Sequence, residues 1–320
     1  MAQMRKLLWS GPFIGFIIFL FMLFCFIFIS KGYFIDPNNL KVLIVQIAEF
    51  SIVAIGIGIL MIAQEFDLST PGAMLFYSLV FLYLHNAGVP PVVIIAVVLI
   101  VGAFTGLLNA FLTLKCKIPS FISTLATLLL WTGITNMFAP PGTERAIIIK
   151  DLFLVRFFVG ELFSIPVQFL WFSAFAVIFG FLLHFHVFGS WVYATGGNKD
   201  AARAVGINTD RVKTICFMIV GLLSAFSAII QVIRAGAFLV GIGSAWNLKA
   251  ITACVMGGVS LFGGFGSIFS IIIGSITLSI IENGLIMMGV SYLLSWSVYG
   301  ALLLAFVILH IFVRRKKIAI

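Results

Sequence analysis

Residues 92–103 read Val-Val-Ile-Ile-Ala-Val-Val-Leu-Ile-Val-Gly-Ala. No helix or strand built from them has a polar face. The run Phe13–Ile29 has the same character. Strands of an outer-membrane barrel alternate apolar and polar positions, whereas these runs are apolar all round, the pattern of a helix surrounded by lipid or protein. Composition extends this to the whole chain. It is 62% hydrophobic and only 9% charged, against about 25% charge in ordinary soluble domains. The 320 residues have room for eight to ten helical spans of about 20 residues each. The chain therefore reads as an all-α polytopic membrane protein, one transmembrane domain over residues 1–320.

Charged, Pro-rich and Gly-rich breaks place ten spans near 11–31, 40–63, 72–88, 91–114, 118–138, 165–188, 212–234, 248–262, 266–288 and 292–313. The net charge of +9 would point to nucleic acid in a soluble protein, but here Lys and Arg gather at the ends of apolar runs, as cytoplasmic anchors do. Arg5/Lys6, Lys115/Lys117 and Arg314–Lys317 all fit one topology, with both termini and the polar segment 189–211 inside. Arg5/Lys6 and the apolar run after them read as a retained first span, with no small-x-small cleavage site in view. Segment 139–164 is then the largest outside piece, a short amphipathic element that carries Glu144, Arg145, Lys150, Asp151, Arg156 and Glu161. Eleven of the thirty glycines fall in 235–290. That density lets helices approach closely or break at membrane depth, so the eighth span is expected to be short or re-entrant. Gly11/Gly15 and Gly102/Gly106 have small-xxx-small spacing for helix contacts.

The chain has no catalytic constellation and no G-x-x-x-x-G-K-[ST] loop for ATP. His184 and His186 are too close together to share a helical face. Cys25, Cys116, Cys216 and Cys254 have no paired spacing and read as packing residues. Polar groups within apolar runs are better clues, because burying them is costly unless they face a cavity or one another. Glu65, Asp67 and Ser69 end the second span. Asp67 or Ser69 is able to cap the helix that restarts near Gly72, or else Glu65 and Asp67 flank a translocation path. Asn109, Ser120, Thr124 and Thr127, together with Glu282-Asn283, are further candidates for a polar path, or else interhelical hydrogen bonds. Glu282 needs a partner, for which Arg234 and Lys249 are candidates.

The longest polar stretch is 192–213. Asn198 suits an N-cap, Asp200 suits the first turn, and Gly206 suits a left-handed residue just past the end. These signals predict a helix of about seven residues, roughly 10 Å long, before Thr209 or Asp210 restarts the next span. Such a capped helix between two spans is shaped to dock on another protein.

The run Gly196-Gly197-Asn198-x-x-Ala201-Ala202-Arg203-x-x-Gly206-Ile207-Asn208-x-x-Arg211-Val212-Lys213 resembles the cytoplasmic coupling segment of bacterial ABC sugar-import permeases of the ribose/xylose/arabinose type. Asp67-Leu68-Ser69 is similar to that family's G-x-x-D-L-S segment. Gly106-Leu107-Leu108-Asn109 with Lys117-Ile118-Pro119-Ser120-Phe121-Ile122-x-Thr124-Leu125 is similar to its "GLLNG…KIPPFIATL" stretch, and Ile165-Pro166-Val167 to its turn into the sixth span. Its glycine-rich end resembles Ala250–Ser267, with Asn283-Gly284-Leu285 and Gly289-Val290-Ser291. The chain departs from the pattern at Gln64-Glu65-Phe66, at Thr70-Pro71-Gly72 and at Lys249, where an acidic residue is common.

The resemblance implies a non-enzymatic importer subunit in the bacterial inner membrane. A second permease subunit, identical or paralogous, would complete the pore, and a periplasmic solute-binding protein would deliver a monosaccharide or related polyhydroxylated solute. A cytoplasmic ABC ATPase dimer would hold ATP and Mg, leaving this chain without a cofactor or metal. Gly196, Gly197, Asn198, Asp200, Ala201, Ala202, Arg203 and Gly206 would form the ATPase-coupling segment, with Asp200 and Arg203 as contact residues. Glu65, Asp67, Ser69, Asn109, Phe121, Thr124, Glu282 and Asn283 would line the solute path. The alternatives are a nucleoside or branched-chain amino-acid ABC permease, or an ion-coupled secondary transporter that uses Glu65, Asp67 or Glu282.

Overall fold

Proline sets the starts of several helices. Its fixed φ and missing N–H are tolerated only in a helix's first turn. Pro37, Pro71 and Pro91 each stand at the first or second position of a helix, while Pro119 and Pro166 stand immediately before one. The computed structural model describes residues 11–318 apart from 141, 143–144 and 148–151. The basic pair Arg5/Lys6 and the outer-segment residues Glu144, Lys150 and Asp151 lie outside the described residues.

The helices are α1 (Gly11–Ile29), α2 (Pro37–Ile62), α3 (Thr70–Asn86), α4 (Pro91–Leu114), α5 (Ser120–Phe138), α6 (Leu152–Val159), α7 (Val167–His184), α8 (Val187–Gly197), α9 (Lys199–Ala204), α10 (Thr209–Ala235), α11 (Trp246–Gly257), α12 (Ile268–Met287) and α13 (Tyr292–Ile318). Each of the ten expected segments contains a helix. Among the described residues, α2, α4, α5, α7, α10 and α12 are long and apolar enough to cross a membrane, and Gly15–Ile29 and Trp296–Ile308 are shorter apolar helices. The expected eighth span is the 12-residue α11. At 1.5 Å per residue it reaches about 18 Å, well short of a roughly 30 Å hydrocarbon core. Its ends are set by Ala245 at φ 60° and Gly258 at φ 100°.

The all-helical expectation needs one small correction. Arg145–Ala146 (β1) pairs with Ala237–Phe238 (β4), and Glu161–Leu162 (β2) pairs with Ile165–Pro166 (β3), each antiparallel. These two-residue pairs satisfy backbone groups where the chain turns between helices. The expected amphipathic element is α6, whose Leu154 and Phe158 are buried. Phe158 packs against Phe226 of α10 and Trp171 of α7.

Helices α2, α10 and α12 form the centre, each with 78% of its apolar window buried, while the figure is 28% for α4 and α5 and 17% for α7. The outer helices leave large apolar side chains uncovered, including Phe104, Leu129 and Val177. In a membrane protein those are the surfaces that lipid or another apolar chain covers. Cys216 and Cys254 are buried packing residues, Cys25 is partly buried and Cys116 is exposed. His184 and His186 serve backbone N–H groups: His186 Nδ1 accepts from Phe188, capping α8, and His184 Nε2 accepts from Ile268.

The small-xxx-small pair on α4 packs against α10. A Cβ on Gly102 or Gly106 would strike the backbone of Gly221 or Phe217, and one on Gly221 would strike Gly102. Gly15 of α1 likewise lies on Met256 and Gly257 of α11. Gly106→Val is expected to destabilise the chain by about 1–3 kcal/mol, the usual cost of overpacking a filled contact. The check is thermal unfolding of the purified chain in detergent, and an unchanged melting temperature would refute the contact.

Candidate functional site

The polar segment after α8 folds as its caps dictate. The Asn198 side chain accepts from the N–H groups of Asp200 (3.1 Å) and Ala201 (3.0 Å), starting α9. Gly206 takes φ 87°, and its N–H donates to Arg203 O while that of Ile207 donates to Ala202 O. Those two bonds make a Schellman close. The helix has six residues, one fewer than expected. Ala202 is buried, whereas Asp200 and Ala201 face out. Arg203 is not a free contact group: its Nε donates to Thr209 Oγ1 (2.9 Å) and its Nη2 to Asp210 Oδ1 (2.8 Å), tying α9 to the start of α10. The exposed apolar side chain at the tip is Val205, which caps and charge patterns did not single out.

This module is seated on the bundle without side chains between. A Cβ on Gly196 would meet Ile62 O and Gly264 N, and one on Gly264 would meet Gly197. Gly264 N–H also donates to Ile62 O at 2.8 Å. The end of α2, the end of α8 and the loop 258–267 thus meet backbone to backbone.

Beyond Ile62 the chain breaks at Gln64, φ 67°, and 65–69 runs through the interior. Asp67 does not cap α3, and neither does the side chain of Ser69. Asp67 Oδ1 accepts from the Ser69 N–H (2.7 Å) and hydroxyl (2.6 Å), and its Oδ2 accepts from Asn109 Nδ2 (3.1 Å). Asn109 Oδ1 accepts from Thr127 (2.8 Å), Thr124 Oγ1 accepts from Leu68 N–H (3.0 Å), and Asn247 Nδ2 reaches Leu68 O (3.0 Å). The reason is burial. A non-helical segment inside the bundle has no water for its backbone, so α4, α5 and α11 supply partners. Five of the sequence candidates, Asp67, Ser69, Asn109, Thr124 and Thr127, therefore share one network. Glu65 stands at its edge in an ion pair with Lys213 of α10 (2.6 Å). A cavity of about 390 Å³ joins Glu65 to Lys117, Ser120, Lys199, Arg203 and Asp210, beneath α9.

The other candidates lie elsewhere. Phe121 is 57% exposed on the outer face of α5 and joins neither cluster. Glu282 accepts from Lys249 Nζ and from Gln46 Nε2, and Asn283 exchanges hydrogen bonds with Asn39 (3.0 and 3.2 Å). Of the two candidate partners for Glu282, Lys249 is the one used. Arg234 instead donates to Glu49 from Nε (2.6 Å) and Nη2 (3.1 Å). Gln46 lies 16 residues before Ile62 on α2, about 24 Å along the axis, so the candidates divide between two ends of the bundle. Sequence reasoning missed Glu49, although a carboxylate in the middle of an apolar run is itself a signal.

Around the second cluster is a cavity of about 570 Å³ between α2, α7, α10, α11 and α12, within the roughly 300–1,000 Å³ of small-molecule sites. Gln46, Glu49, Gln168, Gln231, Trp246 and Glu282 are among the residues that line it. Among the described residues no group of three metal-ligating side chains gathers anywhere.

Lys249 and Glu282 are nearly fully buried and compensate each other. Lys249→Met alone is expected to cost about 3–5 kcal/mol by stranding the carboxylate, and Lys249→Met with Glu282→Leu should recover most of it. Denaturant titration of the variants in detergent checks this. A double variant no better than the single one would refute mutual compensation.

The family model described as "Branched-chain amino acid transport system / permease component" matches residues 39–307. The ribose import permease protein of Bacillus subtilis is 34% identical, with 99% of this chain and 94% of that protein covered. The xylose/arabinose import permease protein of Sulfolobus acidocaldarius is 32% identical over 91% of this chain and 82% of its own length. The L-arabinose transport system permease protein of Escherichia coli is 32% identical, covering 92% and 90%. No solved structure matches.

Proposed function

The chain belongs to the branched-chain amino acid transport system / permease component family, and from that premise we propose that it is the membrane subunit of an ATP-binding-cassette importer for a monosaccharide or similar polyhydroxylated solute. It is an integral permease of the plasma (inner) membrane. The sugar reading is supported by the relatives, whose names specify ribose, xylose/arabinose and L-arabinose import.

The observation that carries the importer reading is the seating of α9. It is a short, doubly capped helix braced to α10 through Arg203–Asp210, and it continues directly from the end of α8, where Gly196 and Gly197 lie on the end of α2 and the glycine loop. A force on 198–206 from an ATPase partner reaches Ile62, and through it the Asp67 loop, with no flexible side chain to absorb it. In this reading ten spans put both termini and 189–211 in the cytoplasm and 139–164 outside. A second permease subunit completes the pore, a periplasmic solute-binding protein delivers the solute, and the ATPase dimer binds and hydrolyses ATP with Mg. Asp67, Ser69, Asn109 and Thr124 hold the inner part of the path in shape, Glu65 stands at its cytoplasmic end, and Glu282 and Asn283 belong to its outer part. Phe121, on the outer face of α5, is better placed for lipid or the second subunit. Of the three carboxylates an ion-coupled transporter would use, Glu65 and Glu282 are each held by a lysine, which leaves Asp67, whose hydrogen-bond partners are neutral.

Arg203→Glu breaks the brace to Asp210, and Gly206→Pro removes a left-handed residue that proline is unable to supply. Both are expected to abolish uptake of labelled D-ribose, D-xylose or L-arabinose while membrane abundance stays at the parental level. Parental transport by both variants would sink the coupling assignment. Affinity purification of the tagged chain in mild detergent should recover a P-loop ATPase. Uptake should also survive an uncoupler when ATP is held constant, whereas collapse would favour ion coupling.

A further inference from the structure

The geometry points to the cavity of about 570 Å³ as a holding site for an uncharged, hydroxyl-rich solute, at the end of the bundle opposite α9. This deepens the importer reading and rests on it for the direction of transport.

The first argument is charge. Every ionised side chain lining the cavity is matched there: Arg234 with Glu49, Lys249 with Glu282, and Lys41 with Glu161 at 2.8 Å. Three cations face three carboxylates, so the wall offers no uncompensated charge to a ligand's carboxylate, ammonium or phosphate. A zwitterionic amino acid finds no unpaired charge here, and freeing one from the buried Lys249–Glu282 pair is costly.

The second argument is unused hydrogen-bonding capacity. Gln168, on the first turn of α7, is 2% exposed, and its Oε1 has no partner. A buried acceptor left unsatisfied costs roughly 1–3 kcal/mol; the oxygen has almost no accessible surface, so a bound hydroxyl relieves that cost when the amide turns toward the cavity. Gln231 offers its amide too, since its Nε2 makes only a long 3.4 Å bond to Ser227. Both amides donate and accept, as a hydroxyl does, and the paired carboxylates keep lone pairs free. Trp246, seated edge-on against Phe50 at 5.5 Å, supplies an apolar wall for the C–H face of a ring. A few convergent polar groups beside an aromatic surface make a small-molecule site.

Position is the third argument. Arg234 lies 21 residues beyond Lys213 on α10, roughly 30 Å along the helix. The cavity is therefore separated from the Glu65 end by nearly the thickness of a membrane.

The test has two arms. In a host where this chain and its ATPase are the sole route, Gln168→Leu, Gln231→Leu and Trp246→Leu should each lower the uptake efficiency for D-ribose, D-xylose or L-arabinose. The expected loss is about tenfold, the factor carried by roughly 1.4 kcal/mol of lost interaction, with membrane abundance and ATPase co-purification unchanged. Independently of transport, Val45→Cys on the cavity wall, in a Cys116→Ser chain, should react with an impermeant maleimide about threefold more slowly in the presence of the transported sugar, and at an unchanged rate with leucine. Parental uptake by all three variants overturns the site, and so does lost uptake with no protection of Val45→Cys. Equal protection by leucine overturns the preference for uncharged solutes. Failure of the ATPase to co-purify with the parent would instead strike the importer reading, and the maleimide arm would still report on the cavity.

Discussion

Everything at the α9 end depends on three backbones sharing one space without side chains. Ile62 O, Gly264 N and the Cα of Gly196 lie so close that even a methyl group would not fit. One hydrogen bond, Gly264 N–H to Ile62 O, closes the junction. Because the loop 258–267 is not helical, its backbone polar groups need partners from outside the segment. The ends of α2 and α8 provide contact and α2 the acceptor. The glycines are thus required by approach distance, and the departure from helix is tolerated because protein covers it.

Ionisable groups in the bundle follow a consistent rule. Glu49, Glu65 and Glu282, which lie within or at the ends of apolar helices, are each joined to a cation on another helix. Lys249 is additionally stacked over Phe50, 4.2 Å from the ring centroid, a contact that favours a desolvated cation. Asp67 is handled differently: hydroxyl, amide and backbone donors surround it, with no basic partner among its hydrogen bonds. The two treatments separate the anchor of a buried loop from pairs that fasten helices together.

The sequence made the helices legible because apolar runs and prolines are local signals, and all ten expected starts fall within three residues of those observed. The α9 helix was equally legible, since Asn198 and Gly206 act within their own turn. The Asp67 network could be guessed as a set, because Asn109 and Thr124 stood out as polar residues in apolar runs. Its geometry could not, because Asp67 beside a new helix also reads as a cap. The outer cluster was harder still. Glu49 and Arg234 are 185 residues apart, and Gln168 and Gln231 are single amides whose meaning depends on what they face. Phe121 is exposed on α5, a placement the sequence did not show because its motif fixes position along the helix but not rotation about it.

The helices α2 and α10 run antiparallel and are fastened at two points, by Glu49–Arg234 midway along α2 and by Glu65–Lys213 just beyond its end. Sliding one past the other by a helical turn, about 5.4 Å, would break both fastenings together and strand four charges. The pair therefore behaves as a strut. Over the stretch between the two pairs the helices are held in one register. Whatever opens and closes in this protein must do so at the looser seams on either side of that strut.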